Sequence, residues 1–198
     1  MEKSMRDLYE SCRSYRRFRR EPVPEDVLKE AVEVAAGRSC ARNQQVLKFY
    51  VLNSKEIVGR MQPLVRYAAA LPPEIGTPGP DAQPQAFIII TRPHDNAMSW
   101  VDLGIALDSL AITAWSHGVG SLIMAAINRS EIADLLNENI AGAEIDSSDI
   151  AVAVALGYPS ITSETVAVPA DGSLDYYVDN ELNYYVPKKS PDEVISWL

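Results

Sequence analysis

The stretch "RSYRRFRR" puts five arginines, Arg13, Arg16, Arg17, Arg19 and Arg20, into eight residues. A guanidinium stays charged, and its planar fork pairs with phosphate or carbonyl groups. The chemistry open to such a cluster is therefore the holding of an anion. The chain as a whole is acidic, with a formal net charge of -9. Residues 1–66 carry 14 Lys/Arg against 9 Asp/Glu, whereas residues 67–198 carry 4 against 18. After Arg129 no base appears until Lys188 and Lys189. A generally acidic surface repels nucleic acid. The basic segment is thus better matched to a small anion than to a long polyanion.

Other chemistries find little support. His94 and His117 are the only histidines, and Cys12 and Cys40 the only cysteines. They have neither metal-ligand spacing nor the pattern of a disulfide framework, so no metal site is expected. There is no G-x-x-x-x-G-K-[ST] and no G-x-S-x-G. "GVGSLI" (118–123) has two glycines of a dinucleotide fingerprint, but it follows a helical pattern and precedes a strand, the reverse of the required order. It reads as a helix stop. Cys12 and Cys40 read as small packing residues, and His117 as a partner of a helix C-terminus. No apolar run reaches the ~18 residues of a membrane span. The polar opening "MEKSMRDLYE" does not resemble a secretory signal, so the cytoplasm is the expected location.

The elements that must position the arginines follow from periodicity. A chain of 198 residues suits one domain, taken as 1–198. Residues 1–12 read as a short helix with Met5, Leu8 and Tyr9 inward. Pro24, Glu25 and Asp26 start a second helix, with Val27, Leu28, Ala31, Val32 and Ala35 on one face and Gly37 as its stop. "SCARNQQ" (39–45) is polar and leads into a strand at 47–52. Ser54 caps a helix running to about Tyr67. Residues 71–85 hold five of the 13 prolines and read as a variable loop, functional or mobile. Strands follow at 86–91 and 121–127, on either side of a helix, 100–116, that is apolar nearly all round. Such a helix belongs at a domain centre or a subunit interface. "NRSE" (128–131) opens a helix through Leu136, and a strand runs over 149–159. The tail, 160–198, has little periodicity, but its tyrosines argue that it wraps a surface, such as that of a partner subunit. Helices interspersed with about four strands make an α/β or α+β three-layer domain.

Four features together resemble the nitroreductase family of flavin enzymes. "RSYRRF" followed by "REPVPEDVLKEAVEVA" is similar to that family's basic opening and first amphipathic helix. "SCARNQQ" resembles its S-x-x-N-x-Q segment, with Cys40 in the serine place and Asn43 and Gln45 matching. "DLGIALDSLAITAWSHGVGSLIMAAI" (102–127) is similar to its central helix, glycine turn and strand. "VALGYP" (154–159) and "PKKSPDEV" (187–194) resemble its Leu-Gly-Tyr-Pro strand end and basic C-terminal segment. The likeness spans nearly the whole chain in order. There are departures. Cys12 stands where an arginine is common, Val46 and Leu47 where Pro-Trp is usual, and Ala125 and Ala126 in place of a glycine pair.

The resemblance implies a three-layer fold with a mainly antiparallel central sheet and a C-terminal extension exchanged between subunits. It also implies a homodimer that binds FMN non-covalently at its interface. By motif position, Arg13 and Ser14 would hold the phosphate and ribityl oxygens. Arg16 would reach the pyrimidine edge of the ring, and Lys188 and Lys189 would return to the phosphate. Asn43 would meet the ring edge, and Cys40, Ala41 and Gln45 would line the pocket, from the same subunit or its partner. Arg17, Arg19 and Arg20 are left as surface charge. The implied activity passes hydride from NADH or NADPH to an electron-poor acceptor, a nitroaromatic or quinone, by a ping-pong mechanism with no catalytic side chain. The departures leave room for a specialised flavoenzyme acting on one metabolite, or for a non-catalytic flavin-binding protein.

Overall fold

The computed structural model of the chain describes residues 4–68, 70–94 and 96–198. In order, the elements are α1 (Met5–Ser11), α2 (Glu25–Ala36), β1 (Lys48–Leu52), α3 (Lys55–Met61), α4 (Pro73–Gly76), β2 (Ala86–Thr91) and α5 (Ser99–Ser116). They continue with β3 (Gly120–Met124), α6 (Arg129–Asn139), β4 (Ile150–Gly157), β5 (Ser163–Ala167), β6 (Tyr177–Val178), β7 (Tyr184–Lys188) and α7 (Pro191–Val194). Residues 1–3 of the expected first helix lie outside the described residues. No described helix is long and apolar enough to cross a membrane.

β1, β2, β4 and β3 form one sheet in that order, with every neighbouring pair antiparallel. The whole of β2 is buried. Its residues alternate between two cores. Ala86, Ile88 and Ile90 pack with Leu28, Ala31, Leu103 and Leu110 of α2 and α5. Phe87 and Ile89 pack with Val58, Met61, Ile132 and Leu136 of α3 and α6. Helices thus cover both faces, which is why "AFIIIT" runs apolar without alternation. This is the expected three-layer arrangement around an antiparallel sheet.

Several local expectations need correction. Met5 and Tyr9 are exposed rather than inward, because α1 lies on the surface beside α5 with no layer above it. The helix begun at Ser54 ends at Met61 and yields to a single 3-10 turn, Gln62–Leu64. Pro63 has no N–H with which to continue the helix. β3 ends at Met124, three residues early. The proline-rich segment is neither loose nor without structure. It contains α4 and a 3-10 turn at Pro80–Ala82, and it is fastened to the arginine segment. Arg17 Nη2 donates to the Ile75 carbonyl at 2.7 Å, and the Phe18 N–H donates to the Ala82 carbonyl at 2.9 Å. The tail forms a second sheet in the order β5-β7-β6, with β5 parallel to β7. It folds onto its own chain, and Tyr184 is only 1% exposed.

The arginine segment is an extended strap across the ends of β3 and β4. The Tyr15 N–H donates to the Ser121 carbonyl at 3.0 Å, and the Arg19 N–H donates to the Tyr158 carbonyl at 2.7 Å. The Ser160 N–H returns a bond to the Arg17 carbonyl at 3.1 Å. Beneath the strap, Gly120 and Gly157 face each other across the β3–β4 ladder. A Cβ on Gly120 would lie 2.6 Å from the Tyr15 ring, and one on Gly157 would lie 2.9 Å from Phe18. The buried rings therefore occupy the volume that two side chains would need.

Gly157→Ala should lower the stability measured by urea unfolding by about 1–3 kcal/mol through overpacking. Gly59, inside α3 with nothing near its Cβ position, is the control. Gly59→Ala should raise stability by about 0.5–1 kcal/mol. Equal midpoints for Gly157→Ala and the parent would mean that close packing does not hold the strap.

Candidate functional site

Arg13, Ser14 and Arg16, with Ser163, Tyr176 and Lys188, line one cavity of about 240 Å³. The strap supplies the first three and the tail the rest, so charges from the two ends of the chain meet. Among the described residues, Arg13, Arg16 and Lys188 have no carboxylate partner. Arg13 Nη1 donates only to the Cys12 carbonyl, at 3.1 Å. Arg16 Nη1 donates to the Ser14 carbonyl at 3.3 Å. Arg16 Nε and Ser163 Oγ are buried without a partner. Unpaired cations and idle hydroxyls around one cavity fit a phosphate carried on a polyol chain. Lys189 is exposed and lies outside this cavity.

The remaining arginines divide. Arg19 pairs with Glu21 at 3.3 Å, and Arg20 pairs with Asp81. Arg17 is not the surface charge expected of it. It is half-buried, and it pins the proline-rich segment. Sequence patterning does not separate it from its neighbours, because the carbonyl it meets is 58 residues away.

Cys12 also lines the cavity, and its Sγ lies 3.8 Å from the Ala111 carbonyl of α5. Burial pushes its thiol up, with Arg13 opposing. Tyr15, stacked on Trp115 at 5.1 Å between centroids, is pushed up to about 12 by burial first and then by Cys12.

Cys40, Ala41, Asn43 and Gln45 do not join this cavity within one chain. Cys40 and Gln45 line a second cavity of about 170 Å³ with Asp102 and Phe49. Ala41 lines a groove with Arg42 and Met98. Asn43 is exposed, and its Oδ1 accepts from Gln45 Nε2 at 3.3 Å. The two groups meet α5 at different points along its length, Ala111 and Asp102. Nine helical residues separate those contacts, roughly 13 Å along the axis. Ala125 and Ala126 are exposed, and their carbonyls accept from Arg129 Nη2 and the Arg66 N–H.

The second group is held in tension. Arg42, Asn43 and Gln45 have φ of 53°, 55° and 51°, in the left-handed region. Asn tolerates that region, whereas Arg and Gln rarely adopt it. Asp102 Oδ1 accepts from the Ala41 N–H at 2.8 Å and fastens the turn. Asp102 is 3% exposed, and its Oδ2 has no partner. Periodicity missed it as a site residue. The signal available was an acid on the inward face of an otherwise apolar helix.

The model of the nitroreductase family matches residues 10–158. The chain belongs to the nitroreductase family. By family it is an oxidoreductase, and the matched region contains the strap, the 39–45 segment, α5 and the central sheet. The tail lies beyond it. The fold recurs in a nitroreductase with bound FMN from Desulfitobacterium hafniense DCB-2. That structure is 19% identical, with a TM-score of 0.65, over 90% of this chain and 100% of that one. It recurs in a nitroreductase family protein from Streptococcus pneumoniae TIGR4, 15% identical, with a TM-score of 0.65, over 87% of this chain and 99% of that one. A third example comes from Clostridium novyi NT, 16% identical, with a TM-score of 0.63, over 79% and 87% of the two chains. No curated protein matches this chain.

The Tyr15 shift has a measurable consequence. The fold favours the neutral phenol, whose acid dissociation moves from 10.0 to about 12. Its contribution to stability is therefore full below pH 10 and is lost as pH rises through about 12. Urea midpoints should fall across that window, and less steeply in Tyr15→Phe. Identical alkaline profiles for the two proteins would contradict this placement of Tyr15.

Proposed function

We propose that this nitroreductase-family protein is an FMN-dependent oxidoreductase, taking hydride from NADH or NADPH and delivering it to a nitroaromatic or quinone-like acceptor. One observation carries the reading: three cations without carboxylate partners meet in one cavity of a chain with net charge -9. Arg13 and Lys188 neutralise the phosphate, and Ser14 and Ser163 donate to polyol oxygens. Arg16 places positive charge where the reduced ring becomes anionic. Bound FMN supplies the hydride-accepting and hydride-donating chemistry. Reduction and reoxidation then alternate at one place, in ping-pong order, and no side chain need act as acid or base.

The cavity of about 240 Å³ is smaller than the ~300–1,000 Å³ usual for a cofactor site. A second copy of the chain completes it in this reading. Cys40, Ala41, Asn43 and Gln45 of one copy meet Arg13, Ser14 and Arg16 of the other in a homodimer. Trp100, Val101 and Met98 support this, since these apolar side chains at the start of α5 are about half exposed. The end of the tail, with Trp197 almost wholly exposed, is the part available for exchange with the partner. Lys189 lies at its start and reaches the phosphate only on rearrangement. Two free thiols suit the reducing cytoplasm, where we place the protein.

The test is the absorption spectrum of the purified protein under anaerobic conditions. A flavin band should bleach with NADH or NADPH and return with a quinone or nitroaromatic. Light scattering should give twice 21.8 kDa. Arg13→Ala should weaken FMN about 10- to 100-fold, as loss of a charged hydrogen bond does. A colourless protein with no affinity for added FMN overturns the reading, and a monomer overturns the shared site.

A further inference from the structure

Arg16 is held by the tail in a way that the strap alone would not provide. Its Cζ lies 4.6 Å from the centroid of the Tyr176 ring and 4.7 Å from that of Tyr184. Both distances are inside the ~6 Å within which a guanidinium is attracted to an aromatic face. The two centroids are only 5.8 Å apart, and the rings are tilted by 44°. They therefore form a corner around the guanidinium rather than a closed sandwich, and one side stays open. Tyr176 itself lines the cavity beside Arg13 and Lys188. Tyr184 is buried and starts β7, its N–H donating to the Thr162 carbonyl at 3.0 Å.

The corner is made of rings, and among the described residues no phenol is hydrogen-bonded to the guanidinium. Arg16 Nη1 meets the Ser14 carbonyl, and Nε is buried without a partner. A flexible arginine loses much rotamer freedom when it grips an anion. Here that freedom is already given up on folding, and donors are left unused. Both tyrosines lie beyond residues 10–158, the part of the chain that matches the family.

We infer that Tyr176 and Tyr184 are positioning residues whose rings fix Arg16 for the bound cofactor, so the tail of this chain sets its FMN affinity and flavin potential. The inference rests on the FMN reading above. Tyr176, half-buried, is the better lever, because Tyr184 is also part of the core.

Tyr176→Leu should weaken FMN about 3- to 10-fold, the range of a partly desolvated cation–π contact. It should also lower the flavin midpoint potential, because the reduced, anionic ring loses a fixed positive neighbour. Tyr176→Phe keeps the ring and should match the parent in both. In an Arg16→Ala background, Tyr176→Leu should add no further loss, since the effect travels through Arg16. A full extra loss in that background, or a Phe variant as weak as the Leu variant, overturns the inference. A second arm needs no cofactor. In heteronuclear NMR of the FMN-free protein, the Arg16 Nε–H signal should carry a ring-current shift that survives Tyr176→Phe and shrinks in Tyr176→Leu, where only the Tyr184 ring remains. Its absence from the parent overturns the inference whatever FMN does. Failure of the parent to bind FMN, with the NMR shift present, instead overturns the cofactor reading and leaves the ring corner established.

Discussion

The close approach of the strap to the sheet depends on two missing side chains. Gly120 and Gly157 oppose each other on β3 and β4, and the rings of Tyr15 and Phe18 fill the space above them. Burying those rings removes large apolar areas from water and ties residues 15–18 to the core. Residues between the buried rings then have little freedom. Arg16 and Arg17 leave the strap in different directions, one toward the tail tyrosines and one toward the Ile75 carbonyl. A run of similar arginines is thus sorted by its backbone, and the sorting begins with two glycines.

The strap also joins parts that are distant in sequence. It bonds to β3, to the end of β4 and to the proline-rich segment, and the tail sheet then closes over Arg16. This makes an acidic chain with a basic cavity physically reasonable. The positive groups sit together without carboxylates and repel one another, a cost that a bound anion offsets. Arg13 and Arg16 are half-buried, and unpaired charge in that position is costly to a fold with no ligand to meet it.

Much of this was legible in the residues, for identifiable reasons. The resemblance to the nitroreductase family implied the grouping of Arg13, Ser14 and Arg16 with Lys188 and Lys189, and of these the cavity takes all but Lys189. The three layers follow from local periodicity, which works where each element buries one face. Legibility fails where a partner is remote or a break is local. The parallel pairing of β5 with β7 joins Ser163 to Tyr184, and no short window shows it. Pro63 cuts a helical pattern that its apolar residues alone would extend to Tyr67. Asp102 is invisible to an apolar count because its value lies in one bond to a turn 61 residues away. Met5 and Tyr9 have the spacing of an inward face, but both stand exposed on α1.

The split between the two groups of site residues follows from α5. One helix carries the contact to Cys12 near its end and the contact to Ala41 near its start. The two contacts lie about 13 Å apart along the axis of one helix, which keeps the two groups separate within the chain. An antiparallel pair of such helices does bring the start of one beside the end of the other. Backbone strain at Arg42 and Gln45 lies in the group at the start of α5. Left-handed backbone at non-glycine residues costs of order 1–3 kcal/mol each and persists where the surroundings impose it. Here Asp102, buried on α5, accepts from the Ala41 N–H at the start of the turn. A turn fastened in that way presents Arg42, Asn43, Gln44 and Gln45 at the surface.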